Sequence, residues 1–180
     1  MDAIQMIKER RSVRKYKAEK VSQETINEIL EIARWSPSWA NFQVARYTIV
    51  QSEELLKRIA DEGVHGFSYN MGTLGNAKNA LVLSYKKGKS GKLSEEEYAT
   101  GKGRDWEMFD AGIACQTFCL AAHAKGVGTC IFGIIDDEAI SKIIDLPADE
   151  TVASVITFGY PDESPKATPR HDVEKIARFL

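Results

Sequence analysis

Residues 105–125 read DWEMFDAGIACQTFCLAAHAK, and the fold turns on how that stretch is packed. One apolar line at helical spacing runs Trp106, Phe109, Ile113, Leu120. A second runs Met108, Ala111, Cys115, Phe118, Ala122. The lines lie on different faces, so this helix is apolar nearly all round and demands cover on every side. At ~1.5 Å per residue it is about 30 Å long, roughly a small domain's diameter. A chain of 180 residues struggles to wrap such a rod alone. A second copy is therefore expected to cover part of it, as an obligate homodimer.

Beyond the helix, Gly126 and Gly128 lead into a buried strand over Thr129–Phe132. Asp136 or Asp137 caps a short helix carrying Ile140, Ile143 and Ile144, which Pro147 stops. Val152–Phe158 is the last strand, and Gly159-Tyr160-Pro161 turns the chain into a polar tail. Before the helix, residues 86–104 shift in composition: Gly88, Gly91, Gly101 and Gly103 lie among Lys, Glu and Ser. They read as a lid or loop insertion, with one short helical patch near Glu95–Tyr98. Ala80–Tyr85 and Tyr47–Val50 read as strands, and Glu53–Asp61 as a helix. Near the start, Asp2 with Gln5 has the form of a capping box. Ser22 caps a second helix with Ile26, Ile29, Leu30 and Ala33 at helical spacing and Val21 as a staple. That helix ends near Trp35, because Pro37 forces Ser36 out of the helical region. The alternation gives a single α+β domain over residues 1–180 and leaves open whether the strands run parallel.

Composition excludes several classes. Lys plus Arg is 24 against 26 for Asp plus Glu, so no general field attracts nucleic acid or acidic membranes. The uncharged stretch Ala111–Ala124 is too short to span a bilayer. The first residues lack the apolar segment of a secretory signal. Three cysteines form no disulfide framework, which points to the cytoplasm. Gly126-Val127-Gly128 with Gly133 leaves a helix to enter a strand, the reverse of a dinucleotide fingerprint. Gly88-Lys89-Ser90 lacks the first glycine of a phosphate-binding loop. Cys115, Cys119 and Cys130 are expected to be buried apolar residues rather than metal ligands, and His65, His123 and His171 are scattered. No nucleophile or metal set is visible, which leaves a bound cofactor to carry any chemistry.

One charge cluster stands out. Lys8, Arg10, Arg11, Arg14, Lys15 and Lys17 are a quarter of the 24 basic residues, packed into positions 8–17. A solvated face is one reading. The other is an anion site: in an extended segment Arg10, Ser12 and Arg14 share a face, and two guanidinium forks around a hydroxyl suit a phosphate dianion.

Arg10-Arg11-Ser12-Val13-Arg14-Lys15-Tyr16 resembles the opening motif of the FMN-dependent nitroreductase family. The likeness continues through Ser36-Pro37-Ser38-Trp39-Ala40-Asn41-Phe42-Gln43. It runs on through Asp110-Ala111-Gly112, then Ala121 to Gly128, then Gly159-Tyr160-Pro161 and Lys166…Pro169-Arg170. The resemblance implies a mixed sheet flanked by helices in an intertwined homodimer, the long central helix lying in the interface. It implies FMN as cofactor and NADH or NADPH as co-substrate. Hydride would pass through flavin N5 to a flat acceptor of nitroaromatic or quinone type, in ping-pong order, with no catalytic side chain. By the same resemblance Arg10, Arg11 and Ser12 serve the FMN phosphate, and Arg14 lies nearer the pyrimidine edge or ribityl chain. Pro37, Ser38, Trp39 and Asn41 approach the flavin from the other subunit. Asn70 meets the ring edge, and Ile131, Phe132 and Gly133 lie along the ring. Lys166 and Arg170 return to the phosphate. Val44-Ala45, Phe132 and Thr168 depart from the family pattern. A relative with other flavin chemistry (dehalogenation, ene reduction, flavin destruction), a non-catalytic flavin binder and a phospholigand module remain open.

Overall fold

The computed structural model describes residues 2–64, 68–94 and 96–180. The chain runs α1 (Ala3–Glu9), α2 (Gln23–Ala33), β1 (Ala45–Val50), α3 (Glu53–Arg58), α4 (Ser68–Asn76) and β2 (Asn79–Lys86). It continues through α5 (Asp105–Ala124), β3 (Gly128–Phe132), α6 (Asp137–Ile143), β4 (Glu150–Gly159) and α7 (Val173–Ile176). Helix starts fall where short polar side chains satisfy free amides. The Asp2 carboxylate accepts from the Gln5 N–H, the Ser22 hydroxyl from Thr25, and Asp136 from Ala139. The expected helix from Glu53 holds α-geometry only to Arg58 and then loosens into a π-turn over Ile59–Gly63.

The four strands stand in the order β1-β2-β4-β3, and every pair is antiparallel. Among the described residues the one parallel contact is a bridge between Ser12 and Thr129, which lays the segment after α1 along the free edge of β3. Helices cover both faces of the sheet, which is why Ala80–Tyr85 is an unbroken buried run rather than an alternating one. Leu81, Leu83, Ile156 and Phe158 face α2 and α5. Ala80, Val82, Val155 and Phe132 face α3, α4 and α6.

In α5, Ala111, Ala114, Cys115, Phe118, Cys119 and Ala122 are buried within the chain. Met108 and Phe109 on the other side are 48% and 59% exposed. One chain therefore covers one side of the rod and leaves an apolar side open. One expectation is corrected. Residues 96–98 are not helical: Tyr98 bridges Lys92 instead, while Glu95 lies outside the described residues. α4 has no counterpart in the sequence reading. After β2 ends at Lys86, the described residues of 87–104 contain no helix or strand, yet Ser90 and Gly91 are buried among them.

Candidate functional site

The basic segment follows directly from where α1 stops. Arg10 leaves the helix at φ −55°, ψ 130°, and the chain stays extended past Tyr16. Two side chains anchor it. Val13 is buried against Gly128, where an added Cβ would stand 2.7 Å from Val13 Cγ2. Tyr16 is buried against Gly159, and its hydroxyl donates to the Val13 carbonyl at 2.5 Å and meets Thr157 Oγ1 at 2.9 Å. Burial raises the Tyr16 pKa well above its usual value. The Val13 N–H donates to the Thr129 carbonyl at 2.9 Å, locking the segment to β3.

Around this anchor the basic residues divide. Arg10 and Arg11 line a cleft of about 440 Å³ with His123, Gly126–Thr129 and residues 163–165. Arg11 is tied to its own backbone, donating to the Lys8 and Arg10 carbonyls at 2.6 and 3.0 Å. Among the described residues the Arg10 guanidinium makes no hydrogen bond or ion pair. A half-buried guanidinium facing a cleft in that state is ready to receive an anion. Arg14 donates to the Ser12 carbonyl at 3.2 Å and lies 5.6 Å from the Tyr69 ring centroid, so it faces α4, which also carries the half-buried Asn70. Two carboxylates share the cleft: Glu163 is engaged by the backbone N–H groups of Arg14 and Lys15 at 2.6 and 3.2 Å, and Glu9 accepts from Gln5 Nε2 at 3.0 Å. Sequence reasoning missed His123. Its Nε2 is buried without a partner, and its pKa is lowered first by burial and then by Arg10.

The tail is not gathered in as fully. Pro165 lines the cleft and Lys166 follows it, exposed. Arg170 turns back on Thr168 and Pro169 and does not join Arg10 within the chain. On β3, Ile131 is 46% exposed and Gly133 has open space where a Cβ would stand. The Phe132 side chain is 1% exposed and belongs to the core on the opposite face, which leaves only its backbone beside Ile131 and Gly133. Alternation along a strand forbids Ile131 and Phe132 from presenting side chains to one ligand.

Pro37, Ser38, Trp39 and Asn41 form a separate feature. Ala40, Asn41 and Gln43 all have positive φ, at 43°, 56° and 51°. Three non-glycine residues in that region within four positions is a strained loop, held by its surroundings. The Gln43 N–H donates to Ser38 Oγ at 2.8 Å. The Trp39 N–H donates to the Asp110 carboxylate at 3.0 and 3.1 Å, and its indole N–H to the Lys92 carbonyl at 2.8 Å. Asp110 also receives the Ser90 hydroxyl at 2.5 Å. Asp110 and His123 are thirteen positions apart on α5, about 20 Å along the axis. The loop and the arginine cleft thus sit toward opposite ends of one helix.

Among the described residues no group of His, Cys, Asp and Glu could hold a metal ion, and no helix is long and apolar enough to cross a membrane. The three cysteines are free and buried. The profile of the Nitroreductase family matches residues 7–160. The chain belongs to that family. It is 30% identical to a protein of Methanothermobacter thermautotrophicus that carries the provisional name NADH dehydrogenase/NAD(P)H nitroreductase, over 98% of this chain and 86% of that one. It is 26% identical to an iodotyrosine deiodinase of Thermotoga neapolitana, over 97% and 95%. An FMN-dependent nitroreductase structure from Clostridium difficile R20291 superposes with a TM-score of 0.79 at 28% identity, covering 98% of each chain. The matched span holds the arginine segment, the strained loop, α5 and β3. That span includes every candidate site residue except Lys166 and Arg170.

Proposed function

We propose that this chain is an NAD(P)H-dependent FMN oxidoreductase of the cytoplasm that reduces a flat electron acceptor of nitroaromatic or quinone type, two copies sharing each site. The observation that carries the reading is the unpaired Arg10 guanidinium beside Ser12, on a segment locked to β3 and facing the glycine-flanked cleft. The residues fit the cofactor. The two guanidinium groups that line the cleft suit its phosphate, the Ser12 hydroxyl follows them on the same segment, and Gly126 leaves open space at that end of the cleft. Ile131 offers an exposed apolar surface on an edge strand, and Gly133 leaves room beside it for a flat ring.

Bound FMN supplies hydride acceptance and release at its N5. The protein's work is holding, orienting and excluding water. Arg10, Arg11 and Ser12 bind the phosphate, with Lys166 closing the cleft beyond Pro165. Arg14, steadied on Tyr69, puts a cation beside the ring's pyrimidine edge, where reduction gathers negative charge. Asn70 meets the ring edge from α4. Ile131 and the backbone of Phe132 and Gly133 floor the ring. The Pro37–Asn41 loop of the second copy forms the far wall, with Trp39 and Asn41 toward the flavin. One open face serving nicotinamide and then acceptor gives ping-pong kinetics.

The test is the absorbance of the purified protein. Oxidised-flavin bands that bleach with NADH or NADPH and recover with a nitroaromatic or quinone are expected. Arg10→Ala is expected to weaken FMN about tenfold to a hundredfold, the loss of a charge-assisted hydrogen bond. A colourless protein that takes up no FMN overturns the reading. The likeness to the Thermotoga neapolitana deiodinase favours one second reading, reductive dehalogenation. It wins if a halophenol turns over and nitroaromatics do not.

A further inference from the structure

Asp110 is 3% exposed, in the first third of α5 and one turn after the buried Glu107. Removing a carboxylate from water is costly, and such groups ordinarily recover the loss by pairing with a cation. No ion pair reaches Asp110 among the described residues; its partners are the Trp39 N–H and the Ser90 hydroxyl. Ser90 is fully buried, the deepest point of residues 86–104. A second tether lies one helical turn earlier, where the Gly88 N–H donates to the buried Glu107 carboxylate. The same segment reaches Trp39 directly, through the Lys92 carbonyl. Gly91 makes its tight course possible: φ is +86°, and an added Cβ would stand 2.4 Å from the Gly103 carbonyl oxygen. Trp39 is also fixed from the side by Trp106, the ring centroids 4.7 Å apart.

We infer that Asp110 is a positioning residue for acceptor binding: it ties residues 86–104, through Ser90, to the strained loop that carries Trp39, and so sets the shape of the wall the acceptor meets. The inference rests on the FMN reading and assigns it a specificity element. A loop with three left-handed non-glycine residues does not hold its own shape. Asp110 takes two hydrogen bonds from two separate segments and makes them one unit. A buried uncompensated charge is a poor device for stability and a good one for geometry.

The test uses the FMN-loaded protein and compares Asp110→Ala, Ser90→Ala and Asp110→Asn. The asparagine keeps a carbonyl oxygen for the Trp39 N–H and presents an amide to Ser90 Oγ, which then accepts. Ser90→Ala removes one side of the clamp without leaving Trp39 unpaired, so it keeps the question open to test if Asp110→Ala fails to fold. Asp110→Ala and Ser90→Ala are expected to raise the acceptor KM about fivefold or more, with kcat changed much less. Trypsin should also cut faster at Lys89, Lys92 and Lys102. Asp110→Asn is expected to restore most of the KM. Variants that bind FMN and lose stability with an unchanged acceptor KM overturn the positioning role. A wild-type protein that takes up no FMN overturns the flavin reading, and the inference with it.

Discussion

Gly128→Ala probes the joint on which the arginine segment rests. A Cβ at Gly128 would stand 2.7 Å from Val13 Cγ2, 2.8 Å from Val13 Cβ and 3.1 Å from Pro161 Cγ. Val13 is buried and its N–H is held by Thr129, so it cannot simply swing away. Overpacking of this kind costs about 1–3 kcal/mol. Gly128 has no positive φ, so the alanine's smaller unfolded-state entropy returns about 0.4–1 kcal/mol. The net expectation is a loss of about 1–2 kcal/mol in urea unfolding of the apo protein. FMN affinity should fall about tenfold, because Arg10, Arg11, Ser12 and Arg14 flank the displaced residue. Val13→Ala alone deletes two buried methyl groups, about 1.6 kcal/mol at ~0.8 per carbon. In the double variant the new methyl occupies space vacated by the Val13 γ-carbons. Rescue is partial, since the Cβ–Cβ approach at 2.8 Å survives. The coupling between the two substitutions should be about 1 kcal/mol. Two ΔΔG values that add to within about 0.5 kcal/mol would refute the claim that Val13 is seated on Gly128.

Tyr16→Phe removes a hydroxyl held by Val13 and Thr157 and should cost about 1–2 kcal/mol in denaturant unfolding. Burial raises the Tyr16 pKa, so the folded chain keeps a proton that the unfolded chain releases above about pH 10. Stability from this group is complete below that pH and declines above it, and Tyr16→Phe should flatten the alkaline decline measured by thermal melts. His123 runs the other way: burial and Arg10 lower its pKa, so its contribution is present above about pH 6.5 and is lost as pH falls below that. His123→Asn should lose less Tm than wild type on acidification from neutral pH, and an identical acid slope would count against this environment. Phe109→Lys sets a charge on the open side of α5 and should shift sedimentation toward monomer with loss of bound FMN. A folded, flavin-loaded monomer at nanomolar concentration would end the two-copy reading.

Much of the fold was legible because its signals are local. Asp2, Ser22 and Asp136 mark helix starts through hydrogen bonds within three residues, and the strands are short apolar runs. α4 was not legible because nothing local favours it. Asn70, Gly72, Gly75 and Asn76 are poor helix formers, and the helix exists through Leu74, buried in the core between α3 and the sheet. Residues 96–98 failed the other way: a short helical patch was expected there, and the Tyr98–Lys92 bridge won. At the site, the arginine segment could be read because a helix end and an alternating pattern coincide at Arg10. The left-handed turns at Ala40, Asn41 and Gln43 could not, because no glycine announces them. Asp110 carried a signal that went unread, an acid in a nearly apolar helix.

The division of the site along α5 joins two readings made on separate grounds. The sequence demanded a partner because this helix is apolar all round. The structure leaves Met108 and Phe109 open, beside the Asp110 end that holds Trp39. The arginine cleft lies about 20 Å away at the His123 end, too far for one flavin to touch both within a chain while its phosphate stays on Arg10. Two copies packed antiparallel through their open α5 faces would set the Asp110 end of each against the His123 end of the other. The apolar surface that needs cover and the half-site that needs completing would then be satisfied by one contact. On that geometry, cofactor affinity and dimer affinity are one linked equilibrium. FMN should drive association, and dilution should release FMN, by the same free energy read from either side.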